Sequence, residues 1–215
     1  VLGMPVGRIL SGGKSPSLME RLGSPNSFNV ASICNMASST VTPVTTSGLN
    51  TRVMVQDIPN SDYIFAWGKD STTDDGPQMA IKSIKAAKER GAKLIVIDPR
   101  QTGIGELADL WIPVIPGSDG ALALAMLKLI IETERYDKEF VHDYTRGFDE
   151  FKTYLDTLSL EQLSTWCGVP CDTIRHLTDI FCSTEKISLI SYTGLEYQLS
   201  GIQNNVSVER TSNRE

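Results

Sequence analysis

The chain has 215 residues, enough for one large domain or one and a half small ones. Hydrophobic residues make up 40% and charged residues 21%, ordinary values for a soluble globular protein. The net charge of −6 argues against a nucleic-acid footprint, and four cysteines, Cys34, Cys167, Cys171 and Cys182, do not make a disulfide framework in a chain this long.

Residues 1–60 are rich in Gly, Ser, Thr, Pro and Asn and show little periodicity. Ser11-Gly12-Gly13-Lys14-Ser15-Pro16 reads either as a surface loop or as a glycine turn that lets backbone approach a ligand. Ser17 to Leu22 reads as a short helix stopped by Gly23. Cys34, in Ser32-Ile33-Cys34-Asn35-Met36, reads on its own as a small buried hydrophobe, as most free cysteines are. Thr40 to Gly48 is a polar loop. No signal peptide is visible, and because the first residue is Val1 the expectation is that the true N-terminus is absent.

Asp62 to Trp67 reads as a strand closed by Gly68. Asp75 and Pro77 suit the start of a helix. Ala80, Ile81, Ile84 and Ala87 then fall at helical spacing, with Lys82, Lys85, Lys88 and Glu89 outside, up to Gly91. Leu94 to Ile97 is a four-residue apolar run, three of them β-branched: too short for a helix, and right for a strand buried on both faces. Strand, helix and strand make a βαβ unit, whose crossover is right-handed. No G-x-G-x-x-G follows the first strand, so this is not the Rossmann fingerprint. The second strand ends on Asp98-Pro99-Arg100, where proline turns the chain away. Trp111 to Ile115 is the next strand, ending on Pro116-Gly117-Ser118-Asp119. Two strands thus end in proline-bearing turns that carry a carboxylate. In an open α/β sheet such turns lie at the carboxyl edge, where ligands bind. A carboxylate there suits paired N–H donors such as a guanine edge, and Arg100 suits a phosphate.

A helix runs from Asp119 to about Glu134 with Leu122, Met126, Leu129 and Ile130 as its stripe, and Asp119 is placed to cap it. The apolar run Leu122 to Ile131 is interrupted by Lys128 and too short to span a bilayer. Asp137 to Tyr144 and Phe148 to Leu158 are two further helices, split by Gly147. His142 and His176 read as structural or exposed. Leu160 to Phe181 reads as helix, Gly168-Val169-Pro170, helix. Its second helix holds Arg175 as its one basic residue beside Asp172 and Asp179, which excludes a DNA-recognition helix. Cys167 and Cys171 lack the second ligand pair of a structural zinc site. Lys186 to Ser191 returns as a strand, followed by a turn from Tyr192 to Gln198. The fold class expected is therefore α/β: a mostly parallel sheet with helices on both faces, Rossmann-like; that it is dinucleotide-binding is what the family resemblance described next implies. The division expected is a loop-rich segment 1–50 of a neighbouring domain, an α/β domain 51–192, and a return to the neighbouring domain in 193–215.

Several stretches carry a family resemblance. IDPRQT (97–102) followed by ADLWIPVIPGSDGALALAM (108–126) resembles the molybdopterin oxidoreductases of the dimethyl sulfoxide reductase family. SDYIFAWGKD (61–70), YDKEFVHDYTRGFDEFKTYL (136–155) and YTGLEYQLSGIQ (192–203) agree, in family order. The resemblance implies a molybdenum or tungsten bis(molybdopterin guanine dinucleotide) cofactor, with Cys34 as the catalytic metal ligand from the protein side; a thiolate suits a metal already held by dithiolenes. It implies Gly12, Gly13 and Lys14 running past the pterin. Cofactor contacts are implied from Gly68, Lys69 and Asp70, from Asp98, Arg100 and Thr102, from Gly117 and Asp119, and from Gly194 and Glu196. Family members carry Asn where Asp70 stands, so that contact departs from the pattern. Lys69 either faces a phosphate or is an ordinary solvated lysine, and the latter is the expectation.

The resemblance further implies a 4Fe-4S cluster in a missing N-terminal part, a second dinucleotide-binding half beyond residue 215, an electron-transfer iron–sulfur subunit as partner, and membrane association only through partner subunits. SPSLMERLGSPN (15–26) and TGLEYQLSGIQ (193–203) resemble the polysulfide, thiosulfate and arsenate branch, which implies two-electron reduction of a small inorganic sulfur or arsenic substrate. Two alternatives stand beside this: a non-catalytic offshoot of the family, as in the iron–sulfur subunit of respiratory complex I, and an unrelated nucleotide-binding α/β domain.

Overall fold

The computed structural model describes residues 22–23, 56–73 and 80–199, together with Gly201, Gln203, Asn204 and Ser207. The chain divides into two compact units, Val1–Met36 and Ala37–Glu215; the fold described is that of the second. The expected helix Ser17–Leu22, the Gly12-Gly13-Lys14 turn, Cys34, the 40–48 loop, and Asp75 and Pro77 lie outside the described residues, apart from Leu22.

Four strands form one parallel sheet: β1 (Tyr63–Trp67), β2 (Lys93–Ile97), β3 (Leu110–Ile112) and β4 (Ile187–Ser191), in the order β3-β2-β1-β4. β1 pairs with β2 from Tyr63↔Lys93 to Trp67↔Ile97 and with β4 from Tyr63↔Ile187 to Trp67↔Ser191. Between strands run α1 (Ala80–Glu89), α2 (Gly103–Glu106), α3 (Asp119–Glu132), α4 (Lys138–Tyr144), α5 (Phe148–Asp156), α6 (Leu160–Cys167) and α7 (Cys171–Phe181), and α8 (Thr193–Glu196) follows β4. The strand period of two divides the central side chains between two cores. Phe65, Trp67, Ile95, Ile97 and Ile112 face α3, α6 and α7, with Phe65 edge-on to Phe181 at 5.2 Å. Ile64, Ala66, Leu94, Val96 and Ile190 face α1 and α2. Both faces are therefore covered, which is why β1 and β2 read as unbroken apolar runs rather than alternating ones.

α3 is buried nearly all round, from Leu122 and Ala123 to Ile130 and Ile131, because α6 and α7 lie on one side of it and α5 on another. Each fully buried Leu or Ile there contributes ~1.5–3 kcal/mol. Lys128 interrupts this face without orphaning its charge: its ammonium donates to Leu155 O at 3.2 Å and pairs with Glu132 at 2.8 Å. α6 opens with a capping box between Ser159 and Gln162, and Asp137 caps α4 through Phe140 N. The helix–turn–helix of α6 and α7 packs on α3 as a layer of the core. β3 stops at Ile112 rather than running to Ile115, because Pro113 has no N–H to donate. No helix among the described residues is long and apolar enough to cross a membrane.

Candidate functional site: the carboxyl rim of the sheet

All four strands run the same way, so their carboxyl ends share one edge. β1 delivers Gly68, Lys69 and Asp70 to it, β2 delivers Asp98, Pro99 and Arg100, β3 leads into 113–119, and β4 delivers Tyr192, Thr193 and Gly194. The chain runs from β1 outward to β2 on one side and returns to β4 on the other, which makes the β1/β4 boundary the switch point of the sheet.

The rim is tied together by its own backbone. Gly68 N donates to Ile97 O (2.9 Å), Asp98 N to Ile112 O (3.2 Å) and Gly194 N to Gly68 O (3.1 Å). At the switch point the two loops touch main chain to main chain: a Cβ on Gly194 would lie 2.5 Å from Gly68 O and 2.7 Å from Gly68 Cα. Only two glycines permit that approach, and Gly68 also holds φ +61°. On the other side the loops of β1 and β2 meet where a Cβ on Gly103 would overlap Thr72 Oγ1.

Three carboxylates lie in this network. Asp98 Oδ1 accepts Arg100 N at 2.9 Å, closing the Asp-Pro-Arg turn, while the indole of Trp111 donates to Asp98 O at 2.9 Å. Burial pushes the half-buried Asp98 carboxyl above its usual range, the charge of Asp70 adds to the rise, and Arg100 opposes it. For Asp70 burial also acts upward, but the hydroxyl and N–H of Thr72, at 2.5 and 3.0 Å, with the hydroxyl of Thr73, outweigh it and hold the group low. Asp119 is 4% exposed, and its Oδ1 accepts the Trp67 indole N–H at 2.8 Å. Burial raises its pKa, against the Trp67 bond and together with the Asp98 charge.

The structure corrects two expectations. Asp119 is not the cap of α3: Ser118 holds the N-cap position and Asp119 is the first helical residue, its carboxylate turned inward to Trp67. Lys69 is not a solvated lysine: it is 2% exposed, with its ammonium 4.2 Å from the centre of the Tyr192 ring, a cation–π contact across the switch point. Of the expected site residues, Gly68, Lys69, Asp70, Asp98, Arg100, Thr102, Gly117, Asp119, Gly194 and Glu196 lie on this rim or in the segments that leave it; Gly12, Gly13, Lys14 and Cys34 are outside the described residues. Sequence reasoning missed Trp67, Ser71, Tyr192 and Asn204. Trp67 left a signal, because a buried indole N–H ending a strand needs an acceptor.

The rim leaves a buried hydroxyl unused. Ser71 is 1% exposed and its Oγ has no hydrogen-bond partner among the described residues; native interiors rarely leave such an atom unpaired. An open depression of about 310 Å³ lies at the opposite, amino edge, lined by Asn60, Asp62 and Arg90 among others, and none of the expected site residues lines it.

An all-parallel sheet of this order, with glycine and carboxylate turns on its carboxyl rim, is a Rossmann-like α/β architecture. A family model described as Molybdopterin oxidoreductase matches residues 14–195, and the chain belongs to that family. It is 32% identical over 171 residues to acetylene hydratase of Syntrophotalea acetylenica, covering 80% of this chain and 23% of that protein. It is also 32% identical over 150 residues to the F420-dependent formate dehydrogenase 2 subunit alpha of Methanococcus maripaludis, covering 70% and 22%. The thiosulfate reductase molybdopterin-containing subunit PhsA of Salmonella typhimurium matches at 32% over 175 residues, covering 81% and 22%. Among solved structures, acetylene hydratase from Pelobacter acetylenicus superposes with a TM-score of 0.76 at 28% identity, over 88% of this chain and 25% of that one. The chain thus spans about a quarter or less of the length of these relatives.

Proposed function

We propose that this chain is the part of a molybdenum or tungsten oxidoreductase that cradles one guanine dinucleotide of a bis(pterin guanine dinucleotide) cofactor. The observation that carries the reading is the rim itself: parallel strand ends place Asp98, Arg100, Asp119 and the Gly68/Gly194 crossing along one edge. A guanine offers N–H donors to a carboxylate, and a diphosphate suits Arg100 and loop N–H groups. The two carboxylates differ in setting. Asp98 is half-buried at the rim, whereas Asp119 is packed against Trp67, so Asp98 is the more accessible first contact. When bound, the cofactor supplies two-electron chemistry at its metal, and this chain orients and shields it. Cys34 is proposed as the protein ligand to the metal and Gly12, Gly13 and Lys14 as a loop beside the pterin. The division into 1–50, 51–192 and 193–215 belongs to the same proposal.

For the complete enzyme we propose two-electron reduction of a small sulfur or arsenic compound, with electrons delivered by an iron–sulfur partner subunit. The likeness to thiosulfate reductase supports that substrate class; the equal likeness to a formate dehydrogenase subunit supports the coarser statement, redox turnover of a small molecule. The test is metal analysis of the full-length protein followed by dye-linked assays with thiosulfate, polysulfide, arsenate, nitrate and formate. Bound molybdenum or tungsten and turnover of a sulfur or arsenic substrate are expected. Turnover of formate or nitrate alone would overturn the substrate class. A full-length protein with neither metal would overturn the enzyme reading in favour of a structural offshoot.

A further inference from the structure

Four large apolar side chains gather, exposed, around one loop. Ile115 (50% exposed), Trp166 (52%), Tyr197 (57%) and Leu199 (fully exposed) come from three segments: the loop between β3 and α3, the end of α6, and the chain that leaves α8. Backbone bonds and close approaches join these segments. Ile115 N donates to Cys167 O at 2.9 Å, and a Cβ on Gly168 would stand 2.8 Å from Ile115 Cγ1. Trp166 directly precedes that pair in the chain. Two residues further along the loop, a Cβ on Gly117 would stand 3.3 Å from Gln198 Oε1, and Gln198 lies between Tyr197 and Leu199. Single exposed apolar residues are ordinary on a protein surface. Two aromatic and two aliphatic ones around one loop mark an interaction surface.

The chain path and the charge of the face say what covers it. Beyond Leu199, Asn204 is 2% exposed and its Oδ1 accepts Gly120 N at 3.0 Å, three residues on from Gly117. Asn204 is thus an anchor beside the cluster, and polypeptide that follows it is tethered within reach of these side chains. There is much polypeptide to place: the matched stretch is 22% to 25% of the length of the relatives. Neither Pro113 to Ser118 nor Tyr197 to Leu199 carries a charge. Surfaces that dock a transient partner carry charges that steer it, whereas permanent interfaces are more apolar and resemble a core cut in half.

We propose that this face is covered, in the full-length protein, by the polypeptide that continues beyond residue 215, as a permanent apolar interface within one chain. Ile115, Trp166, Tyr197 and Leu199 are its contacts on this side.

The test is native-state labelling of full-length Leu199→Cys and Tyr197→Cys with N-ethylmaleimide, read site by site by peptide mass spectrometry. Each cysteine should react at least about tenfold more slowly in the native protein than in the same protein unfolded in urea, because reaction waits on opening of the interface. Both variants alter exposed positions, and circular dichroism checks that each folds. Hydroxyl-radical footprinting of wild type, with Tyr197 compared to the same residue in a synthetic peptide of 195–203, reads the same protection without a substitution. Protection retained in monomeric protein from a host that lacks the cofactor is the expected result. Native and unfolded rates within about twofold of each other, the behaviour of an uncovered side chain, would overturn the proposal. Protection seen only when light scattering shows a dimer would also overturn it and assign the face to a second copy. Protection that requires a co-purified subunit, or that disappears without the cofactor, would overturn it in favour of that occupant.

Discussion

Trp67→Phe isolates the bond on which the inward placement of Asp119 depends. The indole N–H reaches Asp119 Oδ1 at 2.8 Å, and the acceptor is 4% exposed, so no water replaces the lost donor. A hydrogen bond to a charged group contributes ~1.5–3 kcal/mol, and removing this donor pushes the Asp119 pKa further up. The direction of the pH effect follows from linkage. Burial already raises the folded-state pKa of Asp119 above its unfolded value, so between those two values the folded chain binds more protons and stability falls as pH rises. In Trp67→Phe that window extends upward. The variant also loses some packing area, but that loss does not depend on pH. The stability difference between wild type and variant, followed by far-UV circular dichroism in urea from pH 4 to 8, should therefore grow with pH by ~1.5–3 kcal/mol. A difference that stays constant across the range would refute the argument, because it would mean that the indole bonds Asp119 without favouring its charged form.

Gly194→Ala should destabilise the chain by roughly 1–3 kcal/mol, because its Cβ would stand 2.5 Å from Gly68 O and force β1 and β4 apart at the switch point; a denaturation midpoint equal to wild type would contradict this. Asp109 should set part of the acid limit of stability. Burial acts to raise its pKa, but Lys88, the N–H of Leu94 and Lys93 outweigh it and hold the group at about 2. Its contribution is present above the unfolded carboxylate range and lost as pH falls from about 4 towards 2, so Asp109→Asn should flatten the acid limb of a stability–pH curve, and an unchanged limb would argue against the pairing. Cys34→Ala in the full-length enzyme should abolish turnover while leaving the circular dichroism spectrum intact; retained turnover would remove the ligand assignment.

The elements were legible in the sequence because their signals are local. The β-branched run Leu94 to Ile97, the helical spacing of Ala80 to Ala87 and the split of Leu160 to Phe181 at Gly168-Val169-Pro170 each specify an element within a dozen residues, and each is present. The carboxyl rim was legible for the same reason, since Asp98 follows directly on β2 and the Pro116–Asp119 turn comes three residues after β3. What the sequence hid was pairing at long range. Asp119 reads as a cap when only its neighbours are considered, but its partner, Trp67, lies 52 residues away. Lys69 reads as solvated beside Asp70 and Ser71, but β4 returns 120 residues later and sets Tyr192 against it. Asn204 joins Gly120 across 84 residues. No periodicity or capping rule carries information over such separations; sheet order does.

The central claim is that the carboxyl rim holds the nucleotide tail of the cofactor, and its most direct test is the amount of nucleotide that full-length protein retains. Guanine nucleotide released by mild acid should be abundant from wild type and at least about tenfold lower from Asp98→Ala and from Asp119→Ala, since each removes a carboxylate acceptor worth ~1.5–3 kcal/mol per bond. Equal release from wild type and both variants, at equal protein stability, would contradict the account.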